Sequence, residues 1–296
     1  MKERFVPLIH INCPSYIKCQ QCISVVSSAS IQQLHIAVIQ QLAEVSEDNK
    51  EFKNILVKDH NIIPHLTSPI IQFASQSQLN KKIIQQQSES FDQSFISSSI
   101  NLLNNLINNK EAHEQIINTP NFLNSLIKLT QFKFNYDTNK EEDNQSILIR
   151  NKSKECLDYI HRWGDEQTQV ELVTNGYPRV LINIINTVGG NEQEYDVGIF
   201  QGLENISNFF SVILKGRQTN YFNHGPSFPP QPVLFKSFQE QIEDEGAYEE
   251  IEAQLVNKGR GVYNDIKNNA NYAKRRILNF FVDQSNPRRW WYNDKF

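Results

Sequence analysis

Apolar residues fall along this chain in short bursts spaced for helices, and the bursts come in sets of three. The clearest set runs from Lys152 to Ile185. Cys156, Leu157 and Ile160 share one helical face. A polar break at Arg162–Gln167 follows, then Val170, Leu172 and Val173, then the turn Thr174-Asn175-Gly176. Tyr177-Pro178 opens a third burst with Val180, Leu181, Ile184 and Ile185. Gly176 suits the end of one helix and Pro178 the first turn of the next. The same phrase recurs at Leu34–Leu66 and Ser97–Leu129, more loosely at Gly198–Leu255, and begins again at Tyr272 with Ile277-Leu278. A unit of this size cannot bury its apolar face alone, so its copies must stack.

The other copies supply matching parts. The first has Ile36, Ile39 and Leu42, a break at Ser46–Lys50, Ile55-Leu56-Val57, a turn at Asp59-His60-Asn61, then Ile63-Pro64. The second has Ile100, Leu103 and Leu106, a break at Asn108-Asn109-Lys110, Ile116-Ile117, a turn at Asn118-Thr119-Pro120, then Phe122-Leu123-Leu126-Ile127 in sequence order. The fourth has Phe200, Leu203, Ile206, Phe209 and Phe210, then an insertion, Ile242, the turn Asp244-Glu245-Gly246 and Ile251–Leu255.

Val173–Pro178 with the apolar run behind it, Ile63-Pro64, and Glu245-Gly246 with Ile251 resemble the turn between second and third helices in the armadillo repeat family, over roughly residues 31–283. The resemblance implies an all-α, armadillo-like right-handed helical solenoid of about four to five irregular repeats. The family repeats at roughly 40 residues, whereas these copies lie further apart and unevenly. Residues 67–95 and 130–150 must therefore hold first helices and extra loop, and a HEAT-like stack is the alternative description. Residues 1–30 read as a leader or first helix, and 31–296 as the repeat domain with a long loop at 215–232. Further linkers are expected at Ser75–Asp92, Tyr136–Gln145 and Gly189–Asp196.

Composition narrows the function classes. Gly and Pro are sparse, at 11 each in 296 residues, which favours helices over a turn-rich β fold. The net charge of −4 comes without a basic block, which speaks against broad nucleic-acid binding. No apolar stretch is long enough to span a bilayer, and Met1–Ile11 lacks the features of a signal peptide. Four cysteines are too few for a disulfide scaffold, so a cytoplasmic protein is expected, with the nucleus as the alternative. Runs such as Gln85-Gln86-Gln87 and Asn104-Asn105 read as composition bias plus exposed loops, although the dense Ile and Leu beside them argue for folded helices.

Candidate chemistry is thin. His10, Cys13, Cys19 and Cys22 form H-x2-C-x5-C-x2-C, a donor set of the right kind and number for zinc. Apolar neighbours on both sides favour buried free thiols instead, and no metal or cofactor is assigned. Cys156 lies on an apolar helix face and reads as core. The remaining histidines sit beside no nucleophile with an acidic partner at a known spacing, and no phosphate-loop, dinucleotide, metalloprotease or nucleophile-elbow motif occurs. The acidic run from Glu240 to Glu252 reads as a solvated helix start or a docking site for a basic partner. Arg288-Arg289-Trp290-Trp291-Tyr292 could cap the stack or stack on bases.

If the third helices face a ligand, their polar positions meet it. Arg179, Asn183 and Asn186 form one stripe opposite Leu181, Ile184 and Ile185. The same offsets give Asn124, Lys128 and Gln131, and the first copy offers His65 and Gln72 with Pro69 between them. In armadillo proteins amide side chains on this face grip the backbone of an extended peptide, so the resemblance implies a peptide or protein partner here. The alternative is a merely solvated face. The tryptophan usual on this helix in nuclear-import receptors is missing from every copy. The chain therefore reads as a non-enzymatic interaction or scaffold module, with no membrane or small-molecule substrate. The alternatives are a nucleic-acid-associated repeat protein and a regulatory fragment of a larger enzyme.

Overall fold

The computed structural model describes residues 6–79, 93–132, 140–186, 196–220, 225–257 and 265–278, and these are helical with no strand among them. The helices are α1 (Ala29–Ser46), α2 (Lys50–Asn54, continued by a π turn at Ile55–Asp59), α3 (Ile62–Leu79), α4 (Gln93–Leu106), α5 (Lys110–Ile117), α6 (Phe122–Leu129), α7 (Lys140–Trp163), α8 (Glu166–Thr174), α9 (Tyr177–Ile185), α10 (Asp196–Lys215), α11 (Pro232–Asp244), α12 (Ala247–Gln254) and α13 (Ile266–Leu278). They fall into the anticipated triplets: α1-α2-α3, α4-α5-α6, α7-α8-α9 and α10-α11-α12, with α13 opening a fifth copy.

Local chemistry fixes the triplet. Three second helices begin on a side-chain cap drawn from the polar breaks. The Asn49 side chain accepts from the Phe52 N–H, Asn109 from Glu111 and Ala112, and Asp165 from Thr168. Each third helix is entered through one residue with positive φ: Asn61 at 43°, Asn121 at 64°, Gly176 at 89° and Gly246 at 69°. Only Gly, and less readily Asn, visits this region cheaply. Nothing lies within 4 Å of where a Cβ on Gly176 would stand. A side chain there is resisted by backbone conformation alone. Gly176→Ala is expected to cost about 1–2 kcal/mol, and Gly176→Asn less, since Asn already fills this place twice. Urea midpoints of the two variants check this, and an unchanged Gly176→Ala midpoint sinks it.

The chain divides into two compact units, Met1–Asn175 with Thr219–Pro226, and Gly176–Gln218 with Ser227–Phe296. In the first, α1 packs on α4 and α4 on α7, first helix to first helix, while α3 packs on α6, third to third. Ile39, Ile100, Leu103, Leu126, Ile149 and Leu157 are fully buried there. In the second, α10 packs on α9, α11 and α13. Tyr177, Phe209, Phe210, Phe235 and Phe238 form its centre, with ring pairs 4.8–5.8 Å apart and crossed edge to face.

Two sequence expectations change, while Asn104 and Asn105 keep the helix that their Ile and Leu neighbours favour. They lie on α4, and their amide groups donate to the Lys152 and Ala43 carbonyls at 3.2 and 2.9 Å, which ties α4 to its neighbours on either side. Two expected linkers are partly helix, since α3 runs on to Leu79 and α7 begins at Lys140; the rest of both, and nearly all of Gly189–Asp196, lie outside the described residues. The loop at 215–232 is organised where described. Arg217 and Phe228 exchange both backbone hydrogen bonds, and the Arg217 guanidinium lies 5.1 Å over the Phe228 ring.

Candidate functional site

Two regions bear on function. The first is the set of polar positions on the third helices. In α6, Asn124 and Lys128 are half-buried, and Gln131, just beyond the helix, is exposed. Asn124 also lines a cavity of about 290 Å³ with Asn118, Thr119, Asn121, Glu171 and Asn175. The positive φ of Asn121 turns the chain here, and the α5–α6 turn and the end of α8 line one cavity. In α9, Arg179 and Asn183 are exposed and Asn186 is half-buried. Arg179 lies 3.5 Å from Asp244 and 3.6 Å from Glu245. Part of the acidic run is thus matched within its own unit, as is Glu252, which pairs with Lys274 at 2.7 Å. Gln72 is exposed on α3. His65 departs from the stripe: it is buried, 8% exposed, and faces the N-terminal segment. Pro69 one turn later leaves the His65 carbonyl without its helical N–H donor.

The second region is that N-terminal segment. Ile23 N–H donates to the His10 carbonyl at 2.8 Å and Asn12 N–H to the Ile23 carbonyl at 2.9 Å, closing a loop that carries three cysteines. Asn12 and Lys18, each just before a cysteine, adopt positive φ of 49° and 51°. The loop folds over α3 so that His10, Cys13, Cys19 and His65 converge, with one donor atom from each all within 4.8 Å of one another. His10 Nδ1 lies 3.2 Å from Cys19 Sγ, and His65 Nδ1 lies 3.5 Å from Cys13 Sγ. Three members of the anticipated donor set thus come together. The fourth here is His65, 52 residues beyond Cys13 along the chain, while Cys22 is exposed and lies close enough to Cys13 to help raise its thiol. His60 stacks on His10, with its Nδ1 3.2 Å from His10 Nε2 and 3.2 Å from Gln21 Oε1. The His35 ring lies 5.1 Å from that of Phe95, and burial lowers its pKa.

Electrostatics keep these imidazoles neutral. Burial, then the charges of His10 and His35, lowers His65 to about 4. Burial lowers His10 and His60 as well, with the charge of His60 adding at His10. The Cys13 thiol is pushed up, by burial first and then by Cys19 and Cys22. Neutral imidazole nitrogens and two thiols facing one point are ligands a metal ion could share. Cys156 is fully buried core, its thiol likewise raised by burial.

The triplet order, the left-handed entry to each third helix and the stacking of like helices together describe one known architecture. The chain has an armadillo-like, all-α solenoid fold. It is similar to an armadillo-repeats-only protein of Plasmodium falciparum, with a TM-score of 0.56 and 13% identity over 93% of this chain and 92% of that one. It is also similar to a computationally designed armadillo repeat protein for modular peptide recognition, with a TM-score of 0.48 and 13% identity over 93% of this chain and 99% of that one. No family model and no curated protein sequence matches the chain significantly. The armadillo-like frame makes α3, α6, α9 and α12 the third helices of successive repeats, so the stripe and the loop site both bear on third helices.

Proposed function

We propose that this chain is a non-enzymatic interaction module that holds a protein segment in extended form on the polar faces of its third helices. The observation that carries this reading is the cavity at the start of α6, whose lining includes Asn118, Asn121, Asn124 and Asn175. An amide both donates and accepts, which suits the alternating groups of a peptide backbone and asks little of its side chains. Lys128 and Gln131 continue the same surface along α6, and Arg179 and Asn183 offer a comparable one on α9. At about 290 Å³ the cavity suits a single peptide side chain or turn better than a large cofactor. The nucleic-acid alternative rested on residues 288–292, which lie outside the described residues.

The test is a selection from a random displayed-peptide library against the full chain. Enriched peptides are then titrated against wild type, Asn124→Ala/Lys128→Ala/Gln131→Ala, and Arg179→Ala/Asn183→Ala. Loss of two or three satisfied hydrogen bonds should weaken binding about 10-fold or more. No enrichment, or equal affinity for all three proteins, refutes the reading.

A further inference from the structure

We propose that His10, Cys13, Cys19 and His65 bind one structural zinc ion, which fastens the N-terminal loop onto the third helix of the first repeat. The geometry of the four donors carries this. Zinc bound tetrahedrally to two sulfurs at 2.3 Å and two nitrogens at 2.0–2.1 Å sets its ligand atoms about 3.4–3.8 Å apart. The His10–Cys19 and His65–Cys13 separations of 3.2 and 3.5 Å bracket the short end of that range, and the whole set fits within 4.8 Å. Two thiolates, two imidazoles and closed coordination select zinc over harder cations. Binding releases the two thiol protons, and the resulting site is neutral overall, which a half-buried setting favours.

The surroundings are built in the same sense. The left-handed residues Asn12 and Lys18 aim Cys13 and Cys19 to one side of the loop, and the Ile11–Ile23 bridge closes it. Asn12 Oδ1 accepts from the Val25 N–H at 2.9 Å, which braces the loop further. Metal on His10 Nδ1 leaves its Nε2–H to donate to His60 Nδ1, with the Gln21 amide turned to present its nitrogen there, and this fixes tautomer and ring plane as outer-shell partners do. His60 is therefore a positioning residue. The ligands come from both the loop and α3, so the ion joins segments that local sequence does not. Val6, Ile9 and Ile11 beside the loop are all buried, so the ion would hold an apolar segment in place as well as the loop.

The full-length chain, purified without chelator, is assayed for metal by mass spectrometry. The metal-free protein is then titrated with Co(II). One zinc per chain is expected, together with the visible ligand-field bands and sulfur-to-cobalt absorption of a tetrahedral two-sulfur site. Cys19→Ser and His65→Ala should lose the stoichiometric metal, and Cys22→Ser should keep it. His60→Ala should keep the stoichiometry with about 10- to 100-fold weaker affinity. The wild-type titration stands even if a ligand variant fails to fold, a point that its helical circular dichroism reports. Lack of a saturable one-to-one site in wild type overturns the proposal. So does metal retained by folded His65→Ala but lost by Cys22→Ser, which would assign the fourth ligand to the loop and remove the link to α3.

Discussion

Replacing Phe209 by Ala is expected to destabilise the second unit by about 3–5 kcal/mol. Phe209 is fully buried on α10 and touches Tyr177 and Phe238, with ring centroids 5.2 and 5.3 Å away, both edge to face. Its neighbour Phe210 completes the cluster against Phe235 and Phe238. Truncation removes a large apolar surface and leaves a cavity. The ring partners are themselves locked between α9, α10 and α11 and cannot collapse into it. Phe209→Leu retains most of the volume and should cost about 1.5 kcal/mol or less. Urea unfolding followed by far-ultraviolet circular dichroism measures both. A Phe209→Ala cost near that of Phe209→Leu would mean that the cluster is loosely packed and that α10 owes its place to other contacts.

Gln169→Leu is the second large effect, about 2–4 kcal/mol, and it has a different physical cause. Gln169 is fully buried at the start of α8. Its amide nitrogen donates to the His161 and Gly164 carbonyls at 3.1 and 3.2 Å, and its carbonyl accepts from His161 Nδ1 at 2.8 Å. The end of α7 thus has carbonyls satisfied by a side chain of the next helix. Leu fills the space but takes away all three bonds at once, and the groups left behind are out of reach of water. Gln169→Glu separates the parts of this effect. It keeps an acceptor for His161 while placing carboxylate oxygens against two carbonyls, so it should also destabilise. If Leu is tolerated to within about 0.5 kcal/mol, the network is not what joins α7 to α8.

The sequence signalled these residues unequally, for a physical reason. Gln169 lies two residues past a polar break and looks like any exposed glutamine, because two of its three hydrogen bonds go to backbone carbonyls, which carry no residue identity. Asn104 and Asn105 look like composition bias for the same reason. Phe209 was legible as core, since it stands with Leu203 and Ile206 on one helical stripe, but its aromatic partners on α9 and α11 were not. His65 was placed on the ligand-facing stripe by its offset from Pro64. That offset fixes a direction from the helix axis but not what lies there, and the N-terminal loop lies there.

Sequence alone determined the parts set by interactions over three or four residues. These are the helical periodicity of the apolar bursts, the Asn and Asp caps of the second helices, and the left-handed turns at Asn61, Asn121, Gly176 and Gly246. Repetition of these parts, with an apolar face that no single copy can bury, was enough to imply an armadillo-like stack. Tertiary structure alone decided which residues meet across forty or more positions. It set His65 beside Cys13 and His60 beside His10, and put Asn124 and Asn175 on the lining of one cavity. The physical reason is one of range. Backbone preferences and caps act within a turn of helix, whereas a donor cluster or a polar cavity exists only once packing has fixed the distances between separate helices.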